Sequence, residues 1–375
     1  MQKNRIAVST FFFINGLLLA NWTARIPGIK TYFDINNTEL GGLLLTMATG
    51  ALVAMPFSGW LSNKFGSHLV TRITSLLFCT FIPFIVITPN PAVASIFFFL
   101  IGLSTGAMDV AMNGQAVAVE KVYKKPIMSS FHAIFSIGMA IGAGVGALFT
   151  QYNVPLFQHF LIGGIVGFMT CLWASFYLIK ETPTPSSSEG ESSFSLPTKA
   201  ILPLGIIAFC GMTGEGTMSD WSALFMNKVV GETETFAAIT FSVFAISMTI
   251  GRIFGDYFTE KLGARQLLIY DSILAILGLS IALSFVTVWT TLIGFFLIGL
   301  GLSTVVPIVY SAAGNTEGVS PSIGIAMATT VGYAGFFVGP PLIGFLADNF
   351  GLRLGMVFPL GLFVLMLLLI MKKIR

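Results

Sequence analysis

Ionisable side chains inside long apolar segments mark the positions at which this chain could do chemistry. Asp109 precedes Lys121 by about twelve residues, roughly 18 Å along a helix, and Asn113 lies one turn away on the same face. Glu215 lies among glycines in 211–217, which predict an interrupted helix whose freed backbone and carboxylate line a cavity. A buried charge is costly unless it is paired or hydrated, so both carboxyls are candidates for reversible protonation.

His132 is the third ionisable candidate, about six residues into the fifth apolar segment and at a depth close to that of Asn113. An imidazole near a carboxyl can relay protons or donate a hydrogen bond to a polar ligand. A structural role stays open for Asp109, Glu215 and His132, because each could be hydrogen-bonded to a neighbouring helix and do nothing else.

Further polar and aromatic side chains in these segments are candidates for contacting a small polar molecule. Trp22 and Trp221 could stack on a ring-shaped ligand, or they could belong to the aromatic belt that forms at membrane interfaces. The candidate ligand contacts are Asn21, Trp22, Asn113, His132, Asp220, Trp221, Tyr310 and Tyr333.

Charged residues near the segment ends predict ion pairs that open and close access to a central site. Arg25 could belong to an outer gate or contact an anion, or it could be a solvated arginine. Arg252 and Asp256, four residues apart, are expected to pair. The gating candidates are Arg25, Asn63, Lys64, Arg252, Asp256, Glu260, Lys261, Arg265 and Asp271.

Composition identifies the elements that must position these groups as membrane-spanning helices. Hydrophobic residues make up 55% of the 375 residues and charged residues 9%, and the mean hydropathy is +0.88. Soluble domains carry about 25% charged residues. The apolar runs are long enough to cross a bilayer and lack the alternation of barrel strands. Twelve spans are predicted, at about 5–27, 38–61, 69–88, 92–119, 127–150, 157–179, 200–226, 236–258, 266–286, 290–312, 323–347 and 354–371.

Basic residues predict the orientation of these spans. With the N-terminus inside, fifteen Lys and Arg lie at the inner ends and four at the outer ends, which places both termini in the cytoplasm. The net charge of +3 therefore reflects topology, and no nucleic-acid partner is expected. Cys79, Cys171 and Cys210 lie in different spans without metal-ligand spacing, so no metal site is expected.

The chain repeats itself at an offset of about 197 residues. Lys64 corresponds to Lys261, and Gly66 corresponds to Gly263. The Ser/Pro/Glu-rich stretch at 181–199 reads as a cytoplasmic linker. We therefore expect two six-helix bundles, 1–180 and 200–375, in parallel pseudo-symmetry. A cleft between two such halves is typical of secondary transporters.

The loop Gly59–Gly66 resembles the signature of the major facilitator superfamily: glycine, leucine, an acid, a base and glycine. Asn63 replaces the acid here, whereas the second copy retains Glu260 and Lys261. The twelve spans, the duplication and the linker extend this resemblance over the whole chain. It implies the all-α fold of that family and two bundles that rock about a central site.

Two further segments resemble the fucose permease branch of that family. They are Gly106–Gly114, with an acid and an asparagine, and Ser130–Gly138. The resemblance implies that Asp109 is the protonatable carboxyl and that Asn113 and His132 lie in or near the pocket. Thr23 stands where that branch carries an acid late in span one, so coupling through two carboxyls does not carry over whole.

From these residues we expect proton-coupled import of a small polar solute, with a sugar as the first choice, by a monomer in a bacterial inner membrane. No cofactor is expected, and no motif of an enzyme is present. Proton-driven export of drugs or metabolites is the alternative, although Gly142-Ala143 replaces the Gly-Pro pair of an antiporter signature. A receptor or scaffold without transport is a remote alternative, because mid-membrane acids serve no purpose there.

Overall fold

A computed structural model describes residues 2–35, 37–87, 89–180, 198–232 and 234–373. Throughout these ranges the regular structure is helical, as the composition predicts, and no strand occurs in them. The predicted linker, 181–199, lies outside the described residues except for its last two positions.

The first half of the chain forms six spans, connected by short turns. They are α1 (Gln2–Thr23), α3 (Asn37–Phe65), α4 (Ser67–Phe81) with a 3₁₀ turn (Ile82–Val86), α5 (Pro91–Tyr123), α6 (Met128–Gln151) and α7 (Leu156–Ser175). The short α2 (Ile26–Phe33) lies between the first two spans.

The second half repeats this pattern with six more spans. They are α8 (Leu202–Phe225) with a π turn (Met226–Val230), α9 (Glu234–Leu262), α10 (Ala264–Phe285), α11 (Val288–Leu302) with α12 (Val305–Gly314), α13 (Pro321–Phe350), and α14 (Leu352–Gly355) with α15 (Val357–Lys373). Eleven of the described segments are long and apolar enough to cross a membrane. The twelfth is α8, which carries Glu215 and Asp220; its 24 residues span about 36 Å. The prediction of twelve spans is confirmed.

The prediction of an interrupted helix around Glu215 is wrong, because α8 is continuous from Leu202 to Phe225. The glycines of α8 instead allow close packing against neighbouring helices. A Cβ on Gly214 would collide with the Phe363 ring, and a Cβ on Gly216 would meet Phe336. These glycines therefore admit side chains from neighbouring helices.

The interruption occurs in the tenth span instead, between Leu302 and Val305. Pro307 follows directly and has no amide hydrogen for the carbonyl one turn before it, which accounts for the break. The Ser303 hydroxyl, at the break, donates to the Leu300 carbonyl at 2.6 Å.

The repeated glycines Gly66 and Gly263 have the same conformation in both halves. Their φ angles are 85° and 81°, in the left-handed region that side chains disfavour, and each directly precedes the next helix. The duplicated loop thus requires glycine at this point, which explains why both copies keep it.

Glycine pairs in spans five and eleven bring helix backbones together in the same way in both halves. In α6, a Cβ on Gly138 or Gly142 would collide with the Phe13 and Leu17 carbonyl oxygens of α1. In α13, Gly335 lies against Phe209 of α8, 196 residues after Phe13. The internal repeat is therefore present in helix packing as well as in sequence.

Contacts between residues group the chain into two units. The first comprises 1–124, 134–196 and 314–327; the second comprises 125–133, 197–313 and 328–375. The units follow the two halves of the chain except at the start of α6, which belongs to the second unit, and at 314–327, which belongs to the first.

Candidate functional site

A charged pair lies within the second unit at membrane depth. Arg252 in α9 contacts both carboxylate oxygens of Glu215 in α8, at 3.4 and 3.5 Å. Arg252 lies ten residues before the end of its helix, about 15 Å along the axis. Its side chain is 7% exposed and that of Glu215 is 30% exposed. The cation is therefore buried, while the carboxylate keeps access to its surroundings.

His132 and Tyr310 extend this pair into a cluster. The two rings meet edge to face, with centroids 6.0 Å apart. Both residues are buried, and the His132 ring lies within the electrostatic range of the Arg252 guanidinium. The second unit thus assembles an acid, a base, an imidazole and a phenol from spans seven, eight, five and ten. We refer to Glu215, Arg252, His132 and Tyr310 as the charged cluster.

A second polar pair lies in the first unit. Asn113 donates its side-chain amide to the backbone carbonyl of Asp109 at 2.8 Å and to its carboxylate at 3.2 Å. Asn113 is fully buried, and its own side-chain oxygen has no hydrogen-bond partner among the described residues. Asp109 is half-buried. The amide therefore holds the carboxyl in place.

Each of the two carboxyls has a specific side-chain partner within the membrane-spanning helices, Arg252 for Glu215 and Asn113 for Asp109. A protonated carboxyl carries no charge and turns one acceptor oxygen into a donor. Protonation of either acid would therefore alter its contact with this partner.

The candidate ligand contacts on span one lie inside the packed core of the first unit. Trp22 is 2% exposed and packs edge to face against Phe98, with ring centroids 5.6 Å apart. Asn21 is buried and donates to the Gly142 carbonyl of α6 at 3.5 Å. Trp22 therefore does not belong to an aromatic belt at the surface. Both residues instead stabilise helix packing.

Asp220 and Trp221, which follow Asn21 and Trp22 by 199 residues and lie in the second unit, are more accessible. Asp220 is exposed, and Trp221 is half-buried with its ring facing Gly344. Tyr333 is half-buried and lies edge to face with Phe336 at 5.8 Å. The pairs Asn21-Trp22 and Asp220-Trp221 are therefore similar in sequence, but they lie in different environments.

The candidate gate residues Asp256 and Glu260 bind the segment that begins α6. Asp256 accepts hydrogen bonds from the backbone amide of Ser130, at 3.0 Å, and from its hydroxyl. Glu260 pairs with Lys125 at 2.9 Å, with both side chains more than half exposed. Asp256 thus caps the start of α6, where unsatisfied amides favour an anion.

The remaining basic gate candidates, near the duplicated loops, contact aromatic rings or a backbone carbonyl. Lys64 lies over the ring of Trp60 at 5.1 Å, and Lys261 lies over that of Tyr257 at 4.8 Å. Arg265 donates to the Met371 carbonyl at 2.9 Å. Asn63, in the loop where the family carries an acid, is half-buried.

Three of the gate candidates have partners in other spans. Arg252 pairs with Glu215 of α8, and Asp256, four residues along α9, binds Ser130. Asp271 is buried and accepts a hydrogen bond from the Thr304 hydroxyl at the break in the tenth span.

Arg25 is a buried anchor, and its main partner was missed by sequence reasoning. Its guanidinium donates to His159 Nδ1 at 3.1 Å and to the Val154 carbonyl at 3.0 Å. Because arginine can only donate, the His159 ring is neutral, with its proton on Nε2. His159 is fully buried. It lies 134 residues from Arg25, and no local pattern in the sequence links the two.

Gln115 is a second residue that the sequence did not single out. Its side chain donates to the Ser67 hydroxyl at 2.8 Å and to the Ile179 carbonyl at 2.9 Å, and it accepts from the Ile179 amide at 2.9 Å. These hydrogen bonds therefore connect the start of α4, directly after Gly66, to the segment that follows α7. Over the described residues, no group of His, Cys, Asp and Glu has the geometry of a metal site.

Comparison with known proteins identifies relatives over nearly the whole chain. An uncharacterized MFS-type transporter of Yersinia pestis is 35% identical over 347 residues, covering 92% of this chain and 89% of its own. The membrane protein MosC of Rhizobium meliloti is 34% identical, covering 94% and 86%. The quinolone resistance protein NorA of Staphylococcus aureus is 24% identical, covering 86% and 85%.

Solved structures share the fold. The transporter FucP in its outward conformation superposes with a TM-score of 0.81 at 15% identity, covering 99% of this chain and 98% of that one. The human organic anion transporter MFSD10 gives 0.79 at 14%, covering 98% and 99%. The sequence profile of the Major Facilitator Superfamily matches residues 6–316 and 231–374. The chain is a multi-pass membrane transporter that belongs to the major facilitator superfamily.

Proposed function

We propose that this protein carries a small polar solute through the membrane by proton-coupled symport, with sugars as the first substrate class to test. The two halves, 1–180 and 200–375, alternate access to the solute, and both termini face the cytoplasm of a bacterial cell. The observation that carries the proposal is the pairing of buried Arg252 with the more accessible Glu215. The more accessible carboxylate can exchange a proton with its surroundings, whereas the buried guanidinium stays charged.

Asp109 is the second proton carrier in this proposal. It is half-buried on the fourth span, and Asn113 holds it in place. The resemblance of Gly106–Gly114 to the fucose permease branch supports this role for Asp109. FucP shares the fold over nearly the whole chain. Within the second unit, His132 and Tyr310 supply hydrogen-bond groups for a hydroxylated solute, and the exposed Asp220 and half-buried Trp221 and Tyr333 provide further contacts. Asn113 remains a candidate contact within the first unit.

The test uses purified protein in liposomes, with a panel of radiolabelled sugars and polyols and an inward proton gradient. We expect accumulation of at least one solute with the gradient and only equilibration without it. Asp109→Asn should abolish the accumulation. Asp348→Asn, a neutralised carboxyl at the exposed end of α13, is the matched control and should transport normally. Accumulation that Asp109→Asn leaves intact would contradict the proposal.

A second candidate is proton-driven export. It is supported by the similarity to the quinolone resistance protein NorA over 86% of this chain. The same liposomes distinguish the two functions, because a symporter moves proton and solute in one direction and an antiporter moves them in opposite directions. Quinolones are therefore included in the panel, and the sign of the accompanying pH change decides between import and export.

A further inference from the structure

One buried acid of the second unit takes no part in the charged cluster. Asp271 lies seven residues after Ala264, the first residue of α10, and it is 4% exposed. Seven residues correspond to about 10 Å along the axis, so the carboxyl lies within the span and not at its end. Among the described residues, this carboxyl has a single hydrogen-bond partner, the Thr304 hydroxyl.

No cation pairs with Asp271 in the part of the chain that the structure describes. The helices α9, α11 and α15 pack against α10, and α12 follows the break in the tenth span. There is no ionisable side chain in α11. The deeper ionisable groups of α9 and α12 have other contacts, in the pairs Arg252–Glu215, Asp256–Ser130 and Tyr310–His132. The remaining ionisable groups of these helices whose side chains are described are exposed: Tyr257, Glu260, Lys261, Arg265, Tyr270 and Lys372.

The end of α11 makes the surroundings of this carboxyl more negative. A Cβ on Gly301, in the last turn of α11, would collide with the Asp271 carbonyl oxygen, so the two backbones are in contact there. The last carbonyls of a helix carry a partial negative charge. Pro307 also supplies no amide to the carbonyl one turn before it. A charged carboxylate is therefore disfavoured beside this helix end.

Close packing around Thr304 favours a proton over a metal ion as the missing positive charge. A Cβ on Gly255 of α9 would lie 2.7 Å from the Thr304 methyl carbon, and a Cβ on Gly251 would collide with the Ser303 hydroxyl. Hard metal cations need about six oxygen ligands around them. A proton adds to one carboxyl oxygen and needs no such space.

We propose that Asp271 is a proton-binding site of the second unit, in which the carboxyl is held as the neutral acid and hydrogen-bonded to Thr304 at the break in the tenth span. The neutral acid keeps this hydrogen bond, avoids repulsion from the end of α11 and needs no cationic partner. The proposal rests on packing within the second unit and not on symport. It can therefore fail or succeed separately from the proposed function.

The test is infrared spectroscopy of the full chain in liposomes, with aspartate isotopically labelled at its side-chain carboxyl carbon. A protonated carboxyl has a carbonyl stretching band that a carboxylate lacks, and the label shifts this band for aspartate but not for glutamate. We expect the wild type to show a label-sensitive band at neutral pH and Asp271→Asn to lose it. Asp348→Asn, which changes an exposed aspartate, is the matched control and should keep the band.

Substitution of Thr304 tests the hydrogen bond separately from the proton. Thr304→Val removes the hydroxyl, so the Asp271 band should move to higher frequency without disappearing. Thr304→Ser keeps the hydroxyl and should leave the frequency close to that of the wild type.

The wild type alone can overturn the proposal, because the absence of a label-sensitive band at neutral pH would mean that Asp271 is charged. A band that Asp109→Asn removes and Asp271→Asn preserves would also overturn it, since the proton would then lie in the first unit. A band that disappears when Na⁺ replaces choline in the buffer would assign the site to a metal cation instead.

Discussion

Replacing Glu215 by glutamine tests the charged cluster most sharply, because it removes one charge and keeps the shape of the side chain. Removing one partner of a fully buried ion pair costs about 3–5 kcal/mol. Here Glu215 is 30% exposed, and its oxygens lie 3.4 and 3.5 Å from Arg252, long for charge-assisted hydrogen bonds. We therefore expect a loss of about 1–3 kcal/mol in the free energy of unfolding.

A double-mutant cycle with Arg252→Gln separates the pair from the effects of each side chain alone. Unfolding of the four purified proteins by denaturant gives the coupling energy, which should lie at about 0.5–3 kcal/mol for residues in contact. The double variant should be more stable than the sum of the single losses implies, because both charges of the pair are removed together.

Transport assays on the same four proteins test the role of the carboxyl. Glutamine resembles the protonated acid, so Glu215→Gln should still exchange solute across liposomes in counterflow but should no longer accumulate it under a proton gradient. A coupling energy near zero would refute the ion pair. Unchanged gradient-driven accumulation would refute the role of Glu215 in proton coupling.

Three other substitutions test contacts that hold the helices in place. Arg25→Lys cannot make both hydrogen bonds of the guanidinium and should cost about 1–3 kcal/mol of stability, measured by thermal unfolding. Gly142→Ala places a Cβ against a carbonyl oxygen and should lower the yield of folded protein, whereas Gly144→Ala, at a site with open space, should not. Asp256→Asn weakens the anionic cap on the amide of Ser130 and should cost about 0.5–2 kcal/mol in chemical denaturation.

Much of the fold could be predicted because the membrane imposes strong local rules. Span length and the need to satisfy backbone groups leave signals within about 20 residues. The repeated loop leaves a recognisable second copy in the other half of the chain. The glycines show the limit of this reasoning. Gly214 and Gly216 suggested a broken helix, yet the Phe363 and Phe336 rings fill the space they leave. Only the packed bundle shows whether a glycine interrupts a helix or admits a neighbour.

Side-chain partners could not be predicted for a similar reason. Glu215 approaches Arg252 from another helix, and the spacing of charges along α9 does not indicate this partner. Arg25 binds His159, which is 134 residues away, and no periodic pattern in the sequence indicates this pairing. In a bundle of helices, the residues that share a site come from separate spans. The polar residues can be found by their depth, whereas their pairing requires coordinates.

The movement of protons together with solute tests the central claim most directly. Liposomes containing the protein and a trapped pH-sensitive dye would receive an inward solute gradient without any initial pH difference. Our account predicts that solute entry acidifies the lumen, and that Asp109→Asn abolishes the acidification while Asp348→Asn preserves it. Solute entry with no change in luminal pH, or acidification that persists in Asp109→Asn, would contradict it.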